Sequence, residues 1–372
     1  MNKPLAVSSL LASITLSSIA EAQGVSFTDA RNIVVGEAPD SIAVADFNGD
    51  GVLDLAVAKD IFNRGTVAVL LGNVDGTFQA ATDYAAGQSP TSVAVCDFNG
   101  DGFLDLVVAN SSSFNISVLL GNGDGTFRAP LNSRAGDGLS SVAVAELNGD
   151  GLCDVAVVND DATSNSVAVL LGKGDGTFQT PSHYRADNRP NTVAVDDFNA
   201  DGLKDLAVSN FNSDNVSVFL GNADGTFQAA THFPAGRGPV FVVVGDFNGD
   251  NLPDLAVPNA VAETVSVLLG NGDGTFQAPM DFPGGSGPSS LAVGDFNGDG
   301  LLDLAVTNGS NDEVSILLGN GDGTFQKPVS FGVDRAPVSV AVGDFNVDGL
   351  LDLAVANFRS EDISVLINNT GE

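Results

Sequence analysis

The sequence predicts an all-β fold, a ring of seven four-stranded antiparallel blades, and three observations carry that expectation. The segment Asp46 to Val57, Asp-Phe-Asn-Gly-Asp-Gly-Val-Leu-Asp-Leu-Ala-Val, recurs with small changes from Asp97, Glu146, Asp197, Asp246, Asp295 and Asp344, at intervals of 49 or 51 residues. A marker running from Gly72 to Phe78 recurs with its aromatic residue at Phe127, Phe178, Phe227, Phe276 and Phe325. The chain ends are complementary. Every marker Phe precedes the next acidic segment by 19 residues, and Phe27 stands at that same distance before Asp46. Residues 363–367 read as a third strand with no marker after it. The N-terminal orphan strand is therefore expected to complete the last blade, which closes the ring and removes an exposed sheet edge.

Each unit yields its strands in order. Ser-Val-Ala-Val before the acidic loop, Asp-Leu-Ala-Val after it and Val-Ser-Val-Leu-Leu beyond are short β-branched or alternating runs. Asn-x-Asp-Gly then supplies the positive φ of a tight hairpin, and the fourth strand is expected to begin at Thr-Phe. Residues 1–22 read as a secretory signal, with Lys3, an apolar stretch from Leu5 to Ile19 and Ala20-Glu21-Ala22 as the small-x-small cleavage pattern. Residues 23–372 then form the propeller, at 50 residues per blade. An exported, monomeric protein, extracellular or periplasmic and without membrane insertion, is the expectation.

Composition narrows the function. Lys and Arg number 14 against 47 Asp and Glu, a formal charge of -33, so nucleic acid is excluded as a partner. Hydrophobic residues at 43% against 16% charged support a large core. Two His, two Tyr and no Trp leave few side chains for acid-base chemistry or sugar stacking, which disfavours an enzyme. Cys96 and Cys153 are too few for a disulfide framework; a bond between them stays open, and packed thiols are the favoured state.

The acidic loops carry the chemistry. Asp-x-Asn-x-Asp-Gly-x-x-Asp offers side-chain oxygens at positions one, three, five and nine and a carbonyl at seven, a set that wraps a hard cation. The donors are Asp46, Asn48, Asp50, the Val52 carbonyl and Asp54 in the first loop, and Asp97, Asn99, Asp101, Phe103 and Asp105 in the second. The third supplies Glu146, Asn148, Asp150, Leu152 and Asp154, and the fourth Asp197, Asn199, Asp201, Leu203 and Asp205. Asp246, Asn248, Asp250, Leu252 and Asp254 form the fifth, and Asp295, Asn297, Asp299, Leu301 and Asp303 the sixth. Asp344, Asn346, Asp348, Leu350 and Asp352 complete the series. The all-oxygen set favours calcium, up to seven ions, one per blade. Plain acidic turns are the alternative, but gathered carboxylates repel by roughly 1 kcal/mol per pair even in water. Val57 stands where an EF-hand has its Glu, so the loop belongs to a hairpin. Glu146 at position one is expected to shift its ligand oxygen, Asn251 at six is tolerated in the left-handed region, and Ala200 and Val347 imply that position four does not need Gly.

These repeats resemble the FG-GAP and VCBS repeats of secreted bacterial proteins and, more distantly, the propeller of integrin α-subunits. The resemblance covers the whole chain after the signal. Gly-Thr-Phe-Gln-Ala-Pro, as at Gly274 to Pro279, stands where integrins have Phe-Gly and Gly-Ala-Pro. It implies a seven-bladed calcium propeller used for binding or adhesion. No stalk or anchor follows Glu372, so integrin-like signalling is not expected.

Strand alternation puts the acidic loops and the Asn-x-Asp-Gly turns on one face. The other face carries the loops between strands two and three and the blade connections; all length variation falls there, in the strand two-to-three loops, and variable loops on a rigid scaffold are where recognition usually resides. Arg64, Arg134, Arg189, Arg237, Arg335 and Arg359 fall there and could meet a carboxylate or sulfate. Phe62, Phe114, Phe211 and Phe358 share those loops as candidate apolar anchors. The plainer reading, Arg solubilising loops and Phe turned inward, is favoured. His183 and His232 occupy an ordinary polar slot of the outer strand, Tyr84 and Tyr184 read as core, and no nucleophile-base pair emerges. The expected function is a binding or adhesion module for an extracellular protein or glycan; the alternative is a polysaccharide-active enzyme or lectin on the same scaffold.

Overall fold

The computed structural model describes residues 24–61, 64–161 and 164–371. The signal segment and Phe62 lie outside the described residues. Seven antiparallel sheets of four strands form the blades of a β-propeller, and no described residue is helical. Blade 2 is typical, with strands Pro90–Cys96, Asp105–Asn110, Asn115–Leu119 and Leu131–Arg134. Six blades take their strands in chain order. In the seventh, Arg31–Val34 lies beside Asp362–Leu366, pairing Arg31 with Val365 and Val34 with Asp362, and Phe27 bridges Asn368. The ring closes as the chain ends predict.

Burial follows radial position. The second strand of blade 2, Asp-Leu-Val-Val-Ala-Asn, is buried throughout, because neighbouring blades cover both its faces. The fourth strand lies at the rim and is mostly exposed. First strands line a central cavity of about 570 Å³. There a hydroxyl of one blade accepts a backbone N–H of the next: Ser41 Oγ from Val93, Ser92 Oγ from Val142 and Ser339 Oγ from Ile42.

Aromatic rings join the blades. Six of the seven acidic loops carry Phe at position two, and five of these meet the marker Phe of the following blade edge-on, as in Phe47–Phe127 (5.5 Å), Phe98–Phe178 (5.8 Å) and Phe345–Phe78 (5.5 Å); the third loop has Leu147, which packs with Phe227. Phe27 takes the same place against Phe296 at 6.3 Å, so the orphan strand brings its own staple to the closure. Tyr84 and Tyr184 pack on Phe127 and Phe227, in the core as expected.

Two expectations are corrected. The fourth strand does not begin at Thr-Phe. Phe78 makes a single bridge to Gly72, and the regular strand starts at Thr82, opposite Val69. The register changes by one residue between these pairs, a bulge that lets the Phe ring turn into the inter-blade core. Cys96 and Cys153 are not thiols but a disulfide, with Cα atoms 6.5 Å apart. The physical reason is the seam between blades. At three equivalent seams a Cβ added to Gly245, Gly294 or Gly343 would meet Leu302, Leu351 or Leu53 at 2.7 to 3.1 Å, so the fold brings these positions together.

Candidate metal loops

The acidic loops sit between strands one and two, on the face shared with the hairpins between strands three and four. Their carboxylates are organised by the loops' own amides. In the first loop Asp46 Oδ1 accepts N–H from Gly49 (2.7 Å) and Asp50 (3.2 Å), and Oδ2 accepts from Gly51 (2.8 Å). Asn48 Oδ1 accepts from the Asp50 amide while its Nδ2 donates to Asp50 Oδ2, and Asp50 Oδ1 accepts from Val52 N–H. The remaining loops repeat the Asn-to-Asp pair at positions three and five, at 2.7 to 3.1 Å.

Position nine does more than sequence reasoning assigned to it. Asp54 is fully buried, and its Oδ2 accepts the Phe47 amide (2.8 Å) while Oδ1 accepts the Gly72 amide (2.7 Å). It therefore ties the loop to the end of the third strand. Asp105, Asp154, Asp205, Asp254 and Asp303 bond the corresponding Gly, and Asp352 the Asn368 amide. Burial pushes these carboxyls up, to about 6 at Asp105, Asp205, Asp254, Asp303 and Asp352, against the two amides that lower them. Asp54 and Asp154 are raised for the same reason.

The deviant loops differ where their residues predict. Glu146 accepts from Asn148 (2.9 Å) and Asp150 (3.2 Å) through Oε1, but it makes no bond to the position-six amide that the Asp loops hold at 2.8 to 2.9 Å. Asn251 takes φ +62° at position six, as expected of Asn. Position four accepts residues other than Gly, at a cost in strain: Ala200 (+57°) and Val347 (+61°) share the left-handed conformation of Gly49 (+73°), which favours Gly. Neither makes the position-four amide bond to position one that the other five loops make.

Among the described residues no three His, Cys, Asp or Glu side chains converge on a point that would enclose an ion. The donor chemistry nevertheless fits a hard cation. Each loop offers carboxylate and amide oxygens only, and an oxygen that accepts one N–H keeps a second lone pair. Positions one, three, five and nine, with the position-seven carbonyl, would hold the ion.

On the opposite face the six predicted arginines are exposed and spread around the ring. Arg134 pairs with Asp137 (2.7 Å) and lies 5.9 Å from the Phe114 ring; Arg189 lies 3.6 Å from Asp160 and 4.6 Å from the Phe211 ring. Arg335 and Arg359 are joined through the Arg359 N–H and the Arg335 carbonyl (3.1 Å). Arg64 and Arg237 stand in separate blades. Phe114 and Phe358 do not turn inward: they are 41% and 45% exposed, while Phe211 is half-buried. His183 and His232 lie on different outer strands, as expected, and His232 Nδ1 is 2.9 Å from Ser217 Oγ. Sequence reasoning missed Lys59, which is buried and paired with Asp83 (2.8 Å) where other blades place Asn.

Ring, repeats and loops together define a propeller built from one duplicated unit. The chain belongs to the FG-GAP-like repeat family, whose repeats match residues 46–108, 97–157, 146–208, 197–257, 259–306 and 295–355. No curated protein matches it in sequence. Among solved structures, an Agrocybe aegerita lectin that recognises non-reducing terminal N-acetylglucosamine is similar at TM-score 0.56 and 19% identity, over 87% of this chain and 86% of that one. The periplasmic gluconolactonase of Pseudomonas aeruginosa is similar at TM-score 0.62 and 16% identity, over 81% and 86%. The V. cholerae biofilm matrix protein Bap1 follows at TM-score 0.52 and 12% identity, over 94% and 92%. At these identities the likeness is one of fold.

Proposed function

We propose that this protein is an exported, monomeric binding or adhesion module for an extracellular protein or glycan, and that its loops take calcium structurally. The observation that carries the reading is the repetition of one hydrogen-bonded scaffold around an all-oxygen donor set in every blade. Loops that vary in length occupy the other face, as in proteins that recognise partners through loops on a rigid support. A lectin and a biofilm matrix protein use the same fold, which supports binding; a gluconolactonase uses it too, so the fold alone does not decide.

Sites with dissociation constants of roughly 0.1 to 1 mM, as in extracellular modules, would each add about 0.4 to 1.4 kcal/mol at millimolar calcium. Over the ring this sums to about 3 to 10 kcal/mol, comparable to the whole stability of an ordinary domain. Calorimetric melting in 1 mM CaCl₂ and in excess EGTA tests the proposal. A melting temperature lowered by chelation is expected, and an unchanged melt refutes it.

A further inference from the structure

The outer strands of blades 2 to 4 gather arginine and histidine side chains that the metal loops do not use. A cleft of about 830 Å³ between blades 2 and 3 is bordered by Arg134, His183 and Arg185, with Ser164, Asn165 and Thr180 on its walls. A second cleft of about 530 Å³ shares Asn165 and Arg185 with the first and reaches His232. Both histidines of the chain and two of its arginines thus border one groove along the rim.

Strand geometry produces this grouping. Side chains alternate along the outer strand Ser182–Arg185, and Tyr184 turns inward onto Phe227 at 5.5 Å. His183 and Arg185 therefore share the opposite side, and both are exposed. The same two positions hold Asp83 and Ala85, Asn132 and Arg134, His232 and Pro234, Asp281 and Pro283, Ser330 and Gly332, and Asn32 and Val34 elsewhere. Blade 3 is alone in placing two basic side chains there. Among the described residues Arg185 has no carboxylate partner. Arg134 has an exposed partner in Asp137, a kind of pair that contributes little and yields readily to a competing anion. Asp187, in the second cleft, is engaged by Asn215 Nδ2 at 2.8 Å.

We propose that this groove binds an oligosaccharide carrying carboxylate or sulfate groups, an inference that rests on the reading of the protein as a binding module. The clefts exceed the volume of a single oxyanion, and their hydroxyl and amide walls match a hydroxyl-rich chain. Arg134 and Arg185 are spaced along the groove, with Arg185 shared by both halves, as suits repeated charges on an extended ligand. Elsewhere a chain of net charge -33 repels polyanions, so binding is confined to this rim and weakens with salt.

Titration calorimetry of the full chain in 1 mM CaCl₂ tests it, with a hyaluronan hexasaccharide as the carboxylate probe and a heparin-derived hexasaccharide as the sulfate probe. Maltohexaose and poly-glutamate serve as the neutral and peptide comparisons. At least one acidic saccharide should bind at least ~10-fold more tightly than either comparison, and the tighter of the two identifies the charged group. Arg185→Ala should weaken that binding at least ~10-fold and Arg134→Ala about threefold, with Lys327→Ala, exposed and away from the groove, unchanged. Equal binding of maltohexaose or poly-glutamate, indifference to Arg185→Ala, or no heat from either acidic saccharide overturns the proposal. Calcium uptake is titrated separately. Protein that takes up calcium but gives no heat with the saccharides overturns the groove alone, whereas saccharide binding without calcium uptake overturns only the calcium reading.

Discussion

On the loop face, six position-one carboxylates hold the position-six amide at 2.8 to 2.9 Å, and every position-nine Asp takes two amides. On the opposite face the blades disagree with one another. Gly87, Gly136, Gly236, Gly285 and Gly36 meet the buried end of strand two, Asp187 and Asp334 stand at the aligned positions of the other two blades, and blade 1 buries Lys59 where the others bury Asn. The contrast teaches where the backbone depends on side chains. A loop whose amides point inward needs a fixed set of acceptors. A connection whose amides pair with the neighbouring strand can change its side chains freely.

The sharpest way to break this contrast is to remove one acceptor from each face. Asp205→Ala leaves the Phe198 and Gly221 amides buried without partners, a loss of about 2–6 kcal/mol. Arg359→Ala, exposed on the other face, should stay within about 0.5 kcal/mol. Urea denaturation midpoints compare the two, and equal effects would show that the loop face is no more constrained than its opposite.

Losing the disulfide should cost nearly as much, and the bond replaces the apolar contact that other seams make at these positions. It closes a separation of 57 residues between blades 2 and 3. Paired Cys96→Ser and Cys153→Ser substitutions should cost about 2–4 kcal/mol through the freer unfolded chain. A midpoint within error of the parent would mean that the ring already constrains those residues.

Much of this was legible in the sequence because it is repeated. Seven copies fixed the strands, the loop register and the closure by Phe27, since a 19-residue interval must mean the same thing each time it occurs. The disulfide escaped because it occurs once. Aligning Cys96 with Gly245 and Cys153 with Leu302 places them at one seam, but only after the contact between those positions is known. The double use of Asp54 was hidden because an acidic ligand and an acidic cap have the same letter. Arg134 and Arg185 both end an outer strand, and sequence reasoning, which looked for recognition in loops, assigned Arg134 to a blade connection and left Arg185 out.

Asp40 sharpens the comparison from the variable face. It lies at the mouth of the central cavity, where the equivalent residues are Thr91, Ser140, Asn191, Val240, Ser289 and Val338. Burial, and then the Asp60 carboxylate, push its carboxyl up to about 6. A carboxyl that holds its proton more tightly when folded contributes stability as pH falls from about 6 towards 4, and that contribution is gone above 6. Asp40→Asn should therefore melt about a degree or two above the parent at pH 7.5, with the gap closing by pH 4.5. A gap independent of pH would remove titration of Asp40 as its cause.

Val347 offers the smallest effect and the most local test of loop uniformity. A β-branched residue at φ +61° is strained by about 1–2 kcal/mol, and its amide lacks the bond to position one that Gly49 and Gly298 make. Glycine relieves that strain but gives back about 0.5–1 kcal/mol through the greater freedom of the unfolded chain. Val347→Gly should thus stabilise the protein by roughly 0.5–1 kcal/mol, read as a shift in the urea midpoint at constant slope. The same change at Ala200 should give less, because alanine carries no branched side chain into the left-handed region. A destabilised Val347→Gly would mean that the Val347 side chain, 58% exposed, contributes more than its backbone costs.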